Sequence, residues 1–165
     1  MGISVGVDIG GTKILAGIVN DQGQILSKVR KKTPRADASA VLEVVGEVIA
    51  ETIANVDGSI AGIGVGVAGP VDAASTTVLY APNLQWADVP VAALLENVTG
   101  LPVLVENDGS AAAWGEARFG GGKGFQDVVT VTIGTGIGGG IVLGGELFRG
   151  SHGAAGEIGH MGAVA

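Results

Sequence analysis

Apolar and polar positions set the outline of the chain before any motif does. Two apolar, β-branched runs, 3–9 and 14–19, flank the pair Gly10-Gly11. Such runs broken by glycine predict two strands joined by a tight turn. After the turn Asn20-Asp21-Gln22-Gly23, residues 24–32 alternate well enough for a third strand that carries basic side chains outward, and Thr33-Pro34 stops it. The period then changes. Val41, Leu42, Val45, Val48, Ile49, Thr52 and Ile53 recur at helical spacing behind Asp37, a natural N-cap. A glycine-interrupted apolar run at 60–67 predicts a central strand with close neighbours. A loop at Gly69-Pro70-Val71-Asp72, a short strand at 76–80, a loop at 82–86 and a short helix at 89–97 ending at Gly100 follow. Residues 102–105 predict another buried strand. Beyond Glu106-Asn107-Asp108 a helix runs through Ala111, Ala112, Ala113, Trp114, Ala117 and Phe119.

Gly120-Gly121-Gly122-Lys123-Gly124 then interrupts the pattern and is the natural place for a hinge. The grammar restarts after it: a strand at 128–133, a glycine-rich turn at 134–140, a strand at 141–143 and a third at 146–149. A β-β-β opening therefore occurs twice. The expected organisation is an α/β lobe over 1–120 and the beginning of a second lobe over 121–165. The first opening is followed by a helix and the second is not. A three-stranded sheet needs one face buried, so the second sheet is expected to lack a cover, and the chain to be the front part of a longer protein or to pair with another chain through that face.

Composition narrows the function classes. The 165 residues contain no cysteine, which removes disulfides and thiolate metal sites and suits a cytoplasmic protein. A net charge of −7 argues against a nucleic-acid binder, which needs a basic face. The apolar fraction is high, at 47%, yet Gly, Asp and Lys interrupt every run before the roughly 18 residues of a membrane span. No membrane association and no signal peptide are expected. The 31 glycines have no collagen period and sit at strand ends, as tight turns and ligand approaches do.

Four stretches carry candidate chemistry. Asp8-Ile9-Gly10-Gly11-Thr12-Lys13 brings a carboxylate, two side-chain-free backbone units, a hydroxyl and a cation to one turn, a combination suited to phosphate and metal. Gly134-Thr135-Gly136-Ile137-Gly138-Gly139-Gly140 contains a G-x-G-x-x-G pattern, but a strand follows it where a dinucleotide fingerprint opens a helix. What remains is a second glycine hairpin offering backbone N–H groups. No Walker A sequence occurs. Glu106-Asn107-Asp108 lies between a buried strand and a helix, where an N-cap and a ligand-facing carboxylate are both reasonable. Glu157-Ile158-Gly159-His160, near Ser151-His152-Gly153, can bind a polyol or belong to a solvated loop. Asn83 is an amide in a loop, where turn chemistry alone is the simpler account.

Together and in this order, these stretches resemble the ROK family of sugar kinases, most closely its bacterial glucokinases. Val5 to Lys13 is similar to the family's first phosphate motif, and Gly134 to Ile141 to its second. Val105-Glu106-Asn107-Asp108 is similar to the catalytic segment, Gly156-Glu157-Ile158-Gly159-His160 to the sugar-binding signature, and Ala81-Pro82-Asn83-Leu84-Gln85-Trp86 to the sugar loop of glucokinases. The resemblance covers all 165 residues and stops before the family's adenosine motif, closing helix and cysteine cluster. It implies an actin-like, ribonuclease-H-like ATPase fold with two lobes, and transfer of the ATP γ-phosphoryl group to the 6-hydroxyl of glucose or a related hexose. Asp108 would be the catalytic base. Asn83, Asn107, Asp108, Glu157 and His160 would hold the sugar. Gly10, Gly11, Thr12, Lys13, Gly134, Thr135, Gly136 and Gly138 would hold the nucleotide phosphates, and Asp8 would orient Mg²⁺ directly or through water. The family's zinc uses a histidine at the position of His160 with three cysteines that this chain does not have. A homodimer is implied as well. An N-acetylhexosamine kinase, a non-catalytic sugar-binding fragment and a polyphosphate donor stay open. A sugar-responsive repressor is disfavoured by the acidic charge and by a chain that starts at the first hairpin.

Overall fold

A computed structural model describes residues 2–54, 56–134, 136–151 and 153–161. The chain forms two compact units, Met1–Asn107 and Asp108–Ala165.

In the first unit, β1 (Ile3–Ile9) and β2 (Lys13–Asn20) form the expected hairpin, with Ile9 opposite Ile14. The third strand, β3 (Ile25–Lys32), pairs with β2. On its other edge β1 runs parallel to β4 (Ile60–Val67), and β4 runs parallel to β7 (Val103–Asn107). The sheet order is β3-β2-β1-β4-β7. Alternation decides its two faces. Ile3, Val5, Val7 and Ile9 of β1 and Ile14, Ala16 and Ile18 of β2 are buried. Asp8 therefore belongs to the opposite face.

The core face is covered by α1 (Ala38–Ile53) and α2 (Val91–Thr99), whose apolar stripes include Val41, Val45, Val48, Ile49 and Leu95. Each such side chain contributes about 1.5–3 kcal/mol on full burial. Asp37 caps α1, its Oδ1 accepting the Ala40 N–H at 2.9 Å. Lys31 ties β3 to α1 through Glu47 at 3.0 Å and Glu51 at 2.5 Å, and these hydrogen bonds raise its ammonium pKa above the ordinary value.

Between β4 and β7 the chain makes a small antiparallel ribbon of β5 (Val78–Ala81) and β6 (Trp86–Val89), joined by a single 3-10 turn, Pro82–Leu84. Sequence pattern predicts only a loop at 82–86. The strand β6 is too short and too polar in its middle to show as a run, and Asp88 lies at φ 51°.

The second unit corrects three expectations. Its helix, α3 (Asp108–Phe119), packs on β8 (Val128–Ile133) and β9 (Ile137–Leu143), with β10 (Glu146–Phe148) beyond, in the order β10-β9-β8. The compact boundary thus falls between Asn107 and Asp108 rather than at 120/121, because the small side chain of Ala113 sits against Gly140 of β9. The second sheet does have a cover on one face, supplied by a helix that precedes it in the chain. The expected turn at 134–140 is also shorter, since Gly138, Gly139 and Gly140 are already paired in β9 with Thr132, Val131 and Thr130.

Candidate functional site

The first turn is braced from within and from β3. Gly10 N–H donates to Lys13 O at 2.9 Å, Thr33 N–H to Thr12 O at 3.1 Å, and the Thr33 hydroxyl to Gly10 O at 2.5 Å. These bonds hold Gly11, Thr12 and Lys13 as an exposed, fixed arch at the end of β1. Asp8 lies one residue before the end of that strand, opposite Leu15 on one side and Gly66 on the other.

Asn83 sits in the 3-10 turn between β5 and β6. Leu84 and Trp86, both buried, anchor the turn, and Gln85 takes a left-handed conformation at φ 57° to reverse the chain. Asn83 is exposed, and its backbone lies against the first hairpin: a Cβ at Gly11 would stand 3.1 Å from Asn83 O. The amide of Asn107, at the end of β7, donates to Gly69 O at 3.3 Å. Gly69 itself, at φ 148°, is pressed against Tyr80 O, so a side chain there would collide with β5. In the first unit Gly11 therefore lies against the Asn83 turn, and Asn107 is bonded to the Gly69 loop that packs on Tyr80. Gly69 is the participant that sequence reasoning missed; its Gly-Pro sequence signalled only a turn.

Asp72, in the same loop, accepts from the backbone N–H groups of Thr76 at 2.7 Å and Thr77 at 2.9 Å, and from the Thr76 hydroxyl at 2.9 Å. Those bonds hold its carboxyl below the usual carboxylate range. It is a structural carboxylate that closes the loop.

In the second unit Asp108 opens α3, exposed, with its Oδ1 accepting its neighbour Gly109 N–H at 2.8 Å. A carboxylate at a helix N-terminus is favoured by the helix dipole. Glu157 and His160 lie one turn apart at the 3-10 segment Ile158–His160, His160 Nδ1 and Glu157 Oε2 being 3.1 Å apart. At the second hairpin Gly134 N–H donates to Gly136 O at 2.9 Å, and both glycines are open, with no atom within 4 Å of where a side chain would start. Gly138 lies in the ladder beneath the Thr132 hydroxyl. Thr135 and His152 fall outside the described residues.

In the second unit Gly134 and Gly136 leave the hairpin backbone open; in the first unit the turn after β1 presents the Thr12 hydroxyl and the Lys13 ammonium. Among the described residues no cluster of three or more His, Asp or Glu could hold a metal ion. The family's zinc set does not fit this chain, since His160 has no cysteines to join.

Each of the two α/β units carries a run of three consecutive strands whose first two are joined by a glycine-bearing hairpin. The ROK family model matches residues 4–164, and the chain belongs to the ROK family. A glucokinase from Streptomyces coelicolor is 47% identical over 161 residues, 98% of this chain and 50% of that protein. A xylose repressor from Caldicellulosiruptor bescii is 44% identical over 101 residues, 61% of this chain and 25% of the repressor. The crystal structure of a ROK glucokinase from Streptomyces griseus in complex with glucose and AMPPNP superposes with a TM-score of 0.90 at 46% identity, over 98% of this chain and 51% of that one. The fold is thus the actin-like ATPase fold. The chain spans about half the length of the kinases it matches.

Proposed function

We propose that this chain carries the acceptor site and the phosphate hairpins of an ATP-dependent hexose kinase of the glucokinase type. The observation that supports the reading most strongly is Asn107-Asp108: an amide tied to Gly69 at a strand end, followed by an exposed carboxylate opening a helix, in a chain 47% identical to a glucokinase.

In this reading Asp108 accepts the proton of the sugar 6-hydroxyl. An alcohol is a weak acid, so proton transfer comes late and the larger contribution of Asp108 is to align the nucleophile. Asn83, Asn107, Glu157 and His160 take the remaining hydroxyls. A site built from such donors and acceptors rejects analogues that lack a hydroxyl, because its own groups are then left unpaired. The arch Gly10 to Lys13 and the hairpin Gly134 to Gly138 hold the nucleotide phosphates, with Asp8 placed to orient a cation. Mg²⁺, when bound, supplies charge neutralisation for the phosphates. The protein works in the cytoplasm as a homodimer.

The deciding experiment is a coupled assay on the full-length protein over glucose, mannose and N-acetylated hexosamines, with ATP and polyphosphate as donors. Glucose with ATP is expected to be the preferred pair. A preference for an N-acetylhexosamine would move the protein to the sister activity. A second reading, a sugar-binding module without turnover, is favoured by the likeness to the xylose repressor. Sugar binding with no phosphorylation of any hexose would establish it.

A further inference from the structure

The glycines of the two hairpins do not all face open space. Gly134 and Gly136 do, but Gly11, Gly139 and Gly140 are packed against the very segments that carry the sugar-binding candidates. In the first unit, a Cβ at Gly11 would stand 3.1 Å from Asn83 O and 3.3 Å from Asn83 Cβ. In the second unit, a Cβ at Gly139 would stand 2.7 Å from Ile158 Cδ1 and 2.9 Å from Gly156 O, in the segment that bears Glu157 and His160, and 2.8 Å from Thr130 O of β8. A Cβ at Gly140 would stand 2.7 Å from Gly109 O, next to Asp108. Ile158 Cδ1 is the tip of a side chain and can shift, whereas the backbone oxygens of Asn83, Gly156 and Gly109 cannot retreat so easily.

We infer that Gly11, Gly139 and Gly140 are positioning residues for the sugar, seating the Asn83 turn, the Glu157–His160 turn and the start of α3 against the hairpins. This rests on the hexose reading of Asn83, Glu157 and Asp108 and extends it: part of what looks like a phosphate motif sets acceptor affinity. The arch cannot give way easily, since Thr33 bonds to both Gly10 O and Thr12 O. At Gly139 and Gly140 the strand β9 is held by its pairing with Val131 and Thr130 of β8. An added methyl group therefore displaces the sugar-bearing turn. A displacement of a few tenths of an ångström is enough to spoil several directional hydrogen bonds at once.

The test uses the ¹⁵N-labelled 165-residue chain and glucose as the probe. Gly11→Ala is expected to shift the amides of 82–86, and Gly139→Ala those of 156–160. Each is expected to weaken glucose binding by about tenfold or more without a matching drop in the unfolding midpoint. Gly6→Ala is the control: nothing lies within 4 Å of a Cβ there, and both turns and the glucose affinity should stay as in the parent. Should Gly139→Ala fail to fold, Gly11→Ala, the milder contact, decides alone. Unmoved turn amides in the folded variants overturn the inference, and so does a moved turn with unchanged glucose affinity. Moved turns in a parent chain that ignores glucose would uphold the seats and remove the hexose reading.

Discussion

His160 Nδ1 lies 3.1 Å from Glu157 Oε2, one 3-10 turn away, so the imidazole and the carboxylate are presented as a pair. The pair flanks Ile158, whose side chain packs against Gly139. A carboxylate bridging a sugar hydroxyl and an imidazole makes charge-assisted bonds, each contributing about 1.5–3 kcal/mol. Glu157→Ala is therefore expected to weaken glucose binding by about tenfold to a hundredfold, read by calorimetric titration. An unchanged affinity would take Glu157 out of the sugar site.

Asp108 predicts a different split. It opens α3 with its carboxylate exposed, Oδ1 accepting from Gly109 N–H. Asp108→Ala in the full-length protein is expected to abolish turnover while glucose affinity stays within about an order of magnitude, since the loss falls on the transition state. Steady-state rates and a binding isotherm on the same preparation separate the two. Near-normal turnover would remove Asp108 from the catalytic role.

The 165-residue chain spans about half the length of the kinases it matches, yet all five sugar-binding candidates lie within it. Sugar binding and turnover should therefore come apart in this polypeptide. Glucose is expected to bind, and ADP release on adding ATP and glucose is expected to stay near background. Robust glucose-dependent ADP release from a preparation verified by intact mass would refute this.

Asp72 sets a pH dependence that has nothing to do with catalysis. Its carboxyl, ordinarily near 3.8, is held lower by the Thr76 and Thr77 N–H groups. A depressed carboxylate contributes stability above the unfolded value and loses it as the pH falls through the folded one. Asp72→Asn should thus cost about 1 kcal/mol at neutral pH, a figure reduced for the partial exposure of the loop. The gap between variant and parent should close as acid titrates the parent below about pH 4. Urea unfolding at both ends of that range checks it.

Local chemistry was legible in the chain and long-range packing was not. The β1–β2 hairpin, the Asp37 cap of α1 and the close of α2 at Gly100 follow from patterns a few residues long, and the structure has each of them. Gly120-Gly121-Gly122 carries a strong local signal for a hinge, but the division of the chain depends on α3 meeting β8 and β9, a contact no short window contains. The same holds for Gly139 and Gly140: glycine content pointed to phosphate, whereas their neighbours are Ile158 and Gly109. Gly69 acts through Tyr80 and Asn107, which are distant in sequence.

The face of the second sheet turned away from α3 makes the last prediction. Val129, Val131 and Ile133 project outward along β8 and are 64%, 51% and 84% exposed, and Ile137, paired with Ile133, is 55% exposed. The strand is also the outer one of its sheet. An apolar face beside an open edge favours association, both by burying area and by adding a strand. The 165-residue chain is therefore expected to self-associate with rising concentration. Val131→Lys places a charge in the middle of the face without touching the side packed on α3, and should shift the population toward monomer by light scattering. A parent chain that stays a monodisperse monomer at high concentration would show that this face does not drive association.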